Sequence, residues 1–126
     1  MEKTFEQRVN EAKAAVSAVS PKEANELKLQ NRDILFIDPR DEADIKSTTG
    51  IIPGALNVRL SDLSNTSYDE LPVELSSRSR EIITACQGGP MGALAAHELK
   101  KRGYHNVHFV DGGTQGWLDA GYSTVQ

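Results

Sequence analysis

This sequence predicts an α/β fold built on a mainly parallel sheet. Three short apolar runs point to it: ILFI at residues 34–37, EIITA at 81–85 and VHFV at 107–110. Each is bounded by turn residues and is nearly continuous in apolar character, as expected of a strand covered on both faces. Stretches of helical periodicity separate them, and alternation of this kind is the mark of parallel βαβ units. The 126 residues suit one domain and can bury a hydrophobic core without disulfides or metals.

Residues 2 to about 18 read as a helix, because Phe5, Val9, Ala12, Val16 and Val19 recur at spacings of four and three. The last part, AVSAV, also fits a short edge strand. Ser20-Pro21-Lys22-Glu23 combines a serine cap, a proline at the first helical position and a glutamate three residues after the cap. A helix is therefore expected from Pro21 to about Gln30, burying Ala24 and Leu27. After the ILFI strand, DPRDEADI reads as a turn and a short helix, and GIIPGA as a loop into the short strand ALNV. The polar stretch from Ser61 to Arg80 accommodates one or two short helices, around SDL and YDELPVEL. EIITA then leads to a helix over Ala93–Arg102 with Leu94, Ala95 and Leu99 inward. Lys100, Lys101 and Arg102 complement its negative end and Gly103 ends it. After VHFV, DGGT turns into a final helix, QGWLDAG, whose Trp117 is sized to seat it on the sheet.

Composition narrows the function. A net charge of −4 without blocks of one sign argues against nucleic acid and anionic membranes as partners. No apolar stretch reaches membrane-spanning length. The opening MEKTFEQRVNEAK lacks the apolar core of a signal peptide, so the cytoplasm is the expected compartment. A single cysteine makes no internal disulfide and no cysteine-rich zinc site.

That cysteine opens the stretch CQGGPMGA, residues 86–93, between an apolar strand and a helix. In open α/β sheets ligands bind beyond the carboxyl ends of the strands, which is where Cys86 falls. Glycines at 88, 89 and 92 let the backbone turn its N–H groups inward as an anion-binding nest. The donors are the amides of Gln87, Gly88, Gly89, Met91 and Gly92. Pro90 has no N–H and stiffens the outside of the ring. The following helix adds its positive end. Such a setting suits a sulfur that carries negative charge and attacks an electrophilic sulfur or phosphorus centre. A buried cysteine can be a mere small hydrophobe, but here cysteine, glycines and helix start coincide.

Four stretches together resemble the single-domain rhodaneses, sulfurtransferases that carry sulfur as a cysteine persulfide. They are LFIDPRDEADI, GIIPGALNV, ITACQGGPMGALAAHELKKRGYHNV and VHFVDGGTQGWLDAGY, in the family's order and spacing from about Ser20 to Gly121. The resemblance implies a rhodanese-like fold, with a central, mainly parallel five-stranded sheet flanked by helices on both faces. Residues 20–126 would form this domain, and residues 1–19 an N-terminal helical extension. It makes Cys86 the persulfide-forming residue, and the loop amides its substrate-binding donors. Asp38 and Arg40 match an Asp-x-Arg pair that is mostly structural in the family. Met91 stands where many thiosulfate-using members have arginine, and no lysine or arginine lies in the loop. Thiosulfate is therefore doubtful as the physiological donor, leaving room for a protein or small-molecule persulfide.

The expected function is sulfurtransferase activity, passing sulfane sulfur from thiosulfate or a persulfide to cyanide, a thiol or a sulfur-accepting protein through Cys86. No cofactor or metal is required. The alternative is a non-catalytic docking or sulfur-sensing module. A phosphatase of the Cys-x5-Arg kind would need arginine at position 92, where the chain has Gly92. Asp38 and Arg40 rank as accessory candidates beside Arg59, which could bring a cation to the mouth of the site. Arg40 is also spaced to pair with Asp44. His97, His105 and His108 lack the companions of a metal site. The chain is expected to be a monomer or a weak homodimer.

Overall fold

The structure is a computed structural model and describes residues 3–126. Along the chain run α1 (Phe5–Ala15), β1 (Ser17–Val19), α2 (Pro21–Gln30), β2 (Leu35–Asp38), α3 (Glu42–Ser47), β3 (Leu56–Asn57) and α4 (Leu60–Asn65). Two 3-10 turns, Tyr68–Glu70 and Val73–Leu75, precede β4 (Ile82–Thr84), α5 (Pro90–Lys101), β5 (Val107–Val110) and α6 (Gly113–Asp119). The strands form one parallel sheet in the order β1-β5-β4-β2-β3. The fold class expected from the sequence is the one observed.

Alternate residues of each strand feed two cores. Leu35, Ile37, Ile82, Val107 and Phe109 meet Val9 and Ala12 of α1, Leu63 of α4 and Leu94 and Leu99 of α5 on one face. Phe36, Ile83 and Val110 meet Ala24 of α2 and Trp117 of α6 on the other. With both faces covered, the strands need no polar alternation, which is why the apolar runs were continuous. β4 lies at the centre of the sheet, between β5 and β2.

Local signals set most element boundaries. The Ser20 hydroxyl accepts from the Glu23 amide at 3.0 Å, and the Glu23 carboxylate accepts from the Ser20 amide at 3.1 Å. Those bonds, the backbone one foremost, hold the Glu23 carboxyl below the usual carboxylate range.

Three boundaries differ from those expected, among them the last helix, which begins at Gly113 rather than Gln115. The first helix stops at Ala15, and Ser17–Val19 adopts the edge-strand alternative, pairing with His108–Val110. Val16 and Val19 are buried without being helical, whereas Phe5, at the helix start, is exposed. The 3.6-residue spacing continued past the helix by coincidence, and pairing with β5 overrode it. A further difference lies at α5, which begins at Pro90 rather than Ala93. Met91 and Gly92 therefore belong to its first turn.

Candidate active site

β4 ends at Thr84, and the chain runs through Ala85, whose amide donates to the Ile37 carbonyl at 2.9 Å, to Cys86. The cysteine is buried, with 3% of its surface exposed, at the carboxyl end of the central strand. From there the backbone turns sharply. Gln87 and Gly88 are exposed, and Gly89 is buried with φ +122°, a conformation that favours glycine. This turn brings the Gly89 N–H to within 2.9 Å of the Cys86 sulfur, where it donates a hydrogen bond. Pro90 then opens α5 at the position where a missing N–H costs nothing.

The start of α5 is fixed closely against the strand end. Thr84, fully buried, donates its hydroxyl to the Gly92 carbonyl at 2.6 Å. A Cβ at position 92 would stand 3.3 Å from the Cys86 nitrogen and 3.6 Å from Ala85 Cα. Glycine here lets the helix lie directly on the backbone that carries the cysteine. The first turn offers no i−4 carbonyl to the Met91 and Gly92 amides, so they keep donor capacity at the positive end of the helix.

Behind the loop lies the first turn of α6. The Thr114 amide donates to the Cys86 carbonyl at 2.7 Å and the Gln115 amide to the Gln87 carbonyl at 3.0 Å. Locally, DGGT has the composition of a turn. Its paired glycines were the one local hint of a close approach. Trp117 seats this helix, with its ring centroid 6.2 Å from that of Phe36 and its indole N–H donating to the Ser123 carbonyl at 2.9 Å.

Asp38 ends β2, the strand beside β4. Arg40 and Asp38 form a buried, bidentate ion pair, with Nε to Oδ1 at 3.0 Å and Nη2 to Oδ2 at 2.7 Å. The guanidinium also donates to the hydroxyls of Thr48 and Thr49 and to the Gly50 carbonyl. The pair thus ties the end of β2 to the loop after α3. Asp44 is not its partner, because the two-residue turn returns Arg40 onto Asp38 instead. Arg59 stands at the N-cap position of α4, exposed, with Nε 3.3 Å from Asp62 Oδ2.

Among the described residues no group of three or more His, Cys, Asp or Glu side chains is placed to hold a metal ion. His108 Nε2 stands 3.5 Å from Glu81 Oε2. His97 borders a cleft of about 440 Å³ between α1, α4 and α5, to which no residue of the Cys86–Gly92 loop contributes. Burial, aided by the Lys101 ammonium, pushes the His97 imidazole below its ordinary range. Among the described residues no helix is long and apolar enough to cross a membrane.

The rhodanese-like domain model matches residues 20–120. The chain belongs to the rhodanese-like domain family. The tRNA uridine(34) hydroxylase of Corynebacterium jeikeium is 29% identical over 101 residues, covering 75% of this chain and 31% of that protein. That of Kocuria rhizophila is 30% identical over 101 residues, covering 75% of this chain and 32% of its own. The chain thus spans about a third of the length of the curated relatives it matches. Among solved structures, the polysulfide-sulfur transferase of Wolinella succinogenes superposes with a TM-score of 0.74 at 25% identity, over 96% of this chain and 86% of that one. A human single-domain sulfurtransferase gives 0.67 at 25% identity, over 82% and 96%. A Rhodopseudomonas palustris protein described as a possible tyrosine phosphatase gives 0.87 at 22% identity, over 99% and 96%, a likeness of fold.

Proposed function

We propose that this rhodanese-like domain is a sulfurtransferase that carries sulfane sulfur on Cys86. The hydrogen bond from the Gly89 amide to the Cys86 sulfur carries the reading, because it puts a backbone donor on the atom that would hold negative charge. With a persulfide donor R–S–S⁻, the Cys86 thiolate attacks the outer sulfur. The Sγ–S bond forms, the donor's S–S bond breaks, and R–S⁻ leaves. With thiosulfate the leaving group is sulfite. An acceptor nucleophile then takes the outer sulfur, as thiocyanate from cyanide or as a new persulfide from a thiol or a protein thiolate. The Cys86 thiolate is returned, and no electrons enter or leave the cycle. The loop amides of Gln87, Gly88, Gly89, Met91 and Gly92 would stabilise the anionic sulfur. The sulfur-transferring solved structures at 25% identity support the same chemistry.

The loop's lack of a cation favours a persulfide over dianionic thiosulfate as donor. Amides offer a dianion hydrogen bonds but no opposite charge, so the extra charge of thiosulfate gains less here than it would beside a guanidinium. The phosphatase reading finds no support at position 92, where an arginine side chain would have to start 3.3 Å from the Cys86 nitrogen.

The curated relatives favour a second reading, in which the domain serves tRNA uridine hydroxylation as part of a larger protein. The net charge of −4 weighs against direct RNA binding by this portion. Thiocyanate formation from a persulfide and cyanide, compared between the wild type and Cys86→Ser, tests the transferase reading. Product in the wild type alone supports it, and equal background in both would refute it.

A further inference from the structure

We propose that the first turn of α6 is a positioning device that aims the amides of the Cys86 loop toward the sulfur. The inference rests on Cys86 being the working nucleophile. Each trans peptide unit is planar, with its C=O and N–H on opposite sides. The Thr114 amide holds the Cys86 carbonyl toward α6 at 2.7 Å, so the N–H of the same peptide unit, that of Gln87, is turned away from α6. The Gln115 amide holds the Gln87 carbonyl at 3.0 Å, which turns the Gly88 N–H the same way. The next N–H, that of Gly89, is the one on the sulfur. Two carbonyls drawn backward thus turn two successive amides away from α6, ahead of the third, which already meets the sulfur.

The approach demands glycine. Gly112 and Gly113 have φ of +79° and +64°, and a Cβ on Gly113 would lie 2.7 Å from the Cys86 oxygen and 2.8 Å from the Gln87 oxygen. All these contacts are to backbone, so no flexible side chain can give way. The Thr114 hydroxyl is buried without a hydrogen-bond partner among the described residues, so the residue meets the loop through its backbone N–H alone. α6 would therefore set the direction of the loop amides from a segment 28 residues away in sequence, without touching the sulfur.

Because Cys86 is the chain's only cysteine, its alkylation reads the cradle directly. The ratio of alkylation rates with anionic iodoacetate and neutral iodoacetamide measures how well the loop receives negative charge. Loss of access alone slows both reagents alike. Gly113→Ala should lower the ratio by about tenfold, the effect of losing roughly one charge-assisted hydrogen bond. An amide-to-ester exchange between Gly113 and Thr114 deletes the N–H without adding an atom and should lower the ratio in the same direction. Gly121→Ala, at φ +96° with no atom within 4 Å of its Cβ, controls for backbone strain and should keep the wild-type ratio. If Gly113→Ala does not fold, the ester variant decides. An unchanged ratio in the ester variant, or equal slowing of both reagents, would overturn the proposal. No sulfur donor is present, so a failure of sulfur transfer in the wild type would refute the transferase reading and leave this measurement intact.

Discussion

The Gly89 amide donates to the Cys86 sulfur across 2.9 Å, and the φ of +122° that makes this contact is one that L side chains rarely adopt. The space around Gly89 is otherwise loose, since a Cβ there would meet only the Gly112 nitrogen, at 3.8 Å. Gly89→Ala should therefore act through backbone conformation rather than collision. The expected outcome is a loss of about 1–3 kcal/mol of stability in denaturant titration, with a fall of about tenfold or more in the rate of sulfur loading on Cys86. Unchanged loading in the folded variant would show that the amide is not used.

Met91 sits half-buried in the first turn of α5, at the loop position that offers no cation. Met91→Arg would place a guanidinium beside an incoming donor. It should speed loading from thiosulfate by about tenfold, the value of one added charge-assisted contact, and change loading from a monoanionic persulfide less. Parallel single-turnover rates with the two donors measure the difference.

Arg40 and Asp38 form a buried pair whose guanidinium also satisfies Thr48, Thr49 and Gly50. Arg40→Met leaves the carboxylate buried without its partner and should cost about 3 kcal/mol or more. The double variant Asp38→Leu with Arg40→Met removes both charges and should recover much of that loss. Urea titration of the single and double variants checks both outcomes. A single variant as stable as the wild type would mean that the pair holds nothing together.

His97 gives a pH dependence of defined sign. Its imidazole is pushed below the ordinary value of 6.5, chiefly by burial. The unfolded chain therefore binds the proton more readily than the folded one. Stability should rise with pH between the lowered folded value and 6.5, and fall as pH drops through that window. His97→Gln should flatten this part of the profile in thermal denaturation followed from pH 5 to 7.

The sequence made the route from strand to cysteine to helix legible because its signals are local. They are an apolar run, paired glycines and a proline suited to the first turn. The Ser20–Glu23 cap was legible for the same reason. The four-residue spacing of Arg40 and Asp44 suits a helical pair. The chain instead turns back within two residues, and Thr48 and Thr49 join the pair from beyond α3. β1 was obscured by a helical apolar spacing that only its pairing with β5 could overrule. The backing of the loop by α6 joins residues 86–87 to 113–115, a contact at which only the paired glycines hint locally.

The most direct measurement is the intact mass of the purified protein after incubation with a small persulfide, compared with Cys86→Ser treated alike. The account predicts a gain of one sulfur atom in the wild type, removed by cyanide with release of thiocyanate and absent from the variant. A wild-type mass that never shifts, or an equal gain in Cys86→Ser, would contradict it.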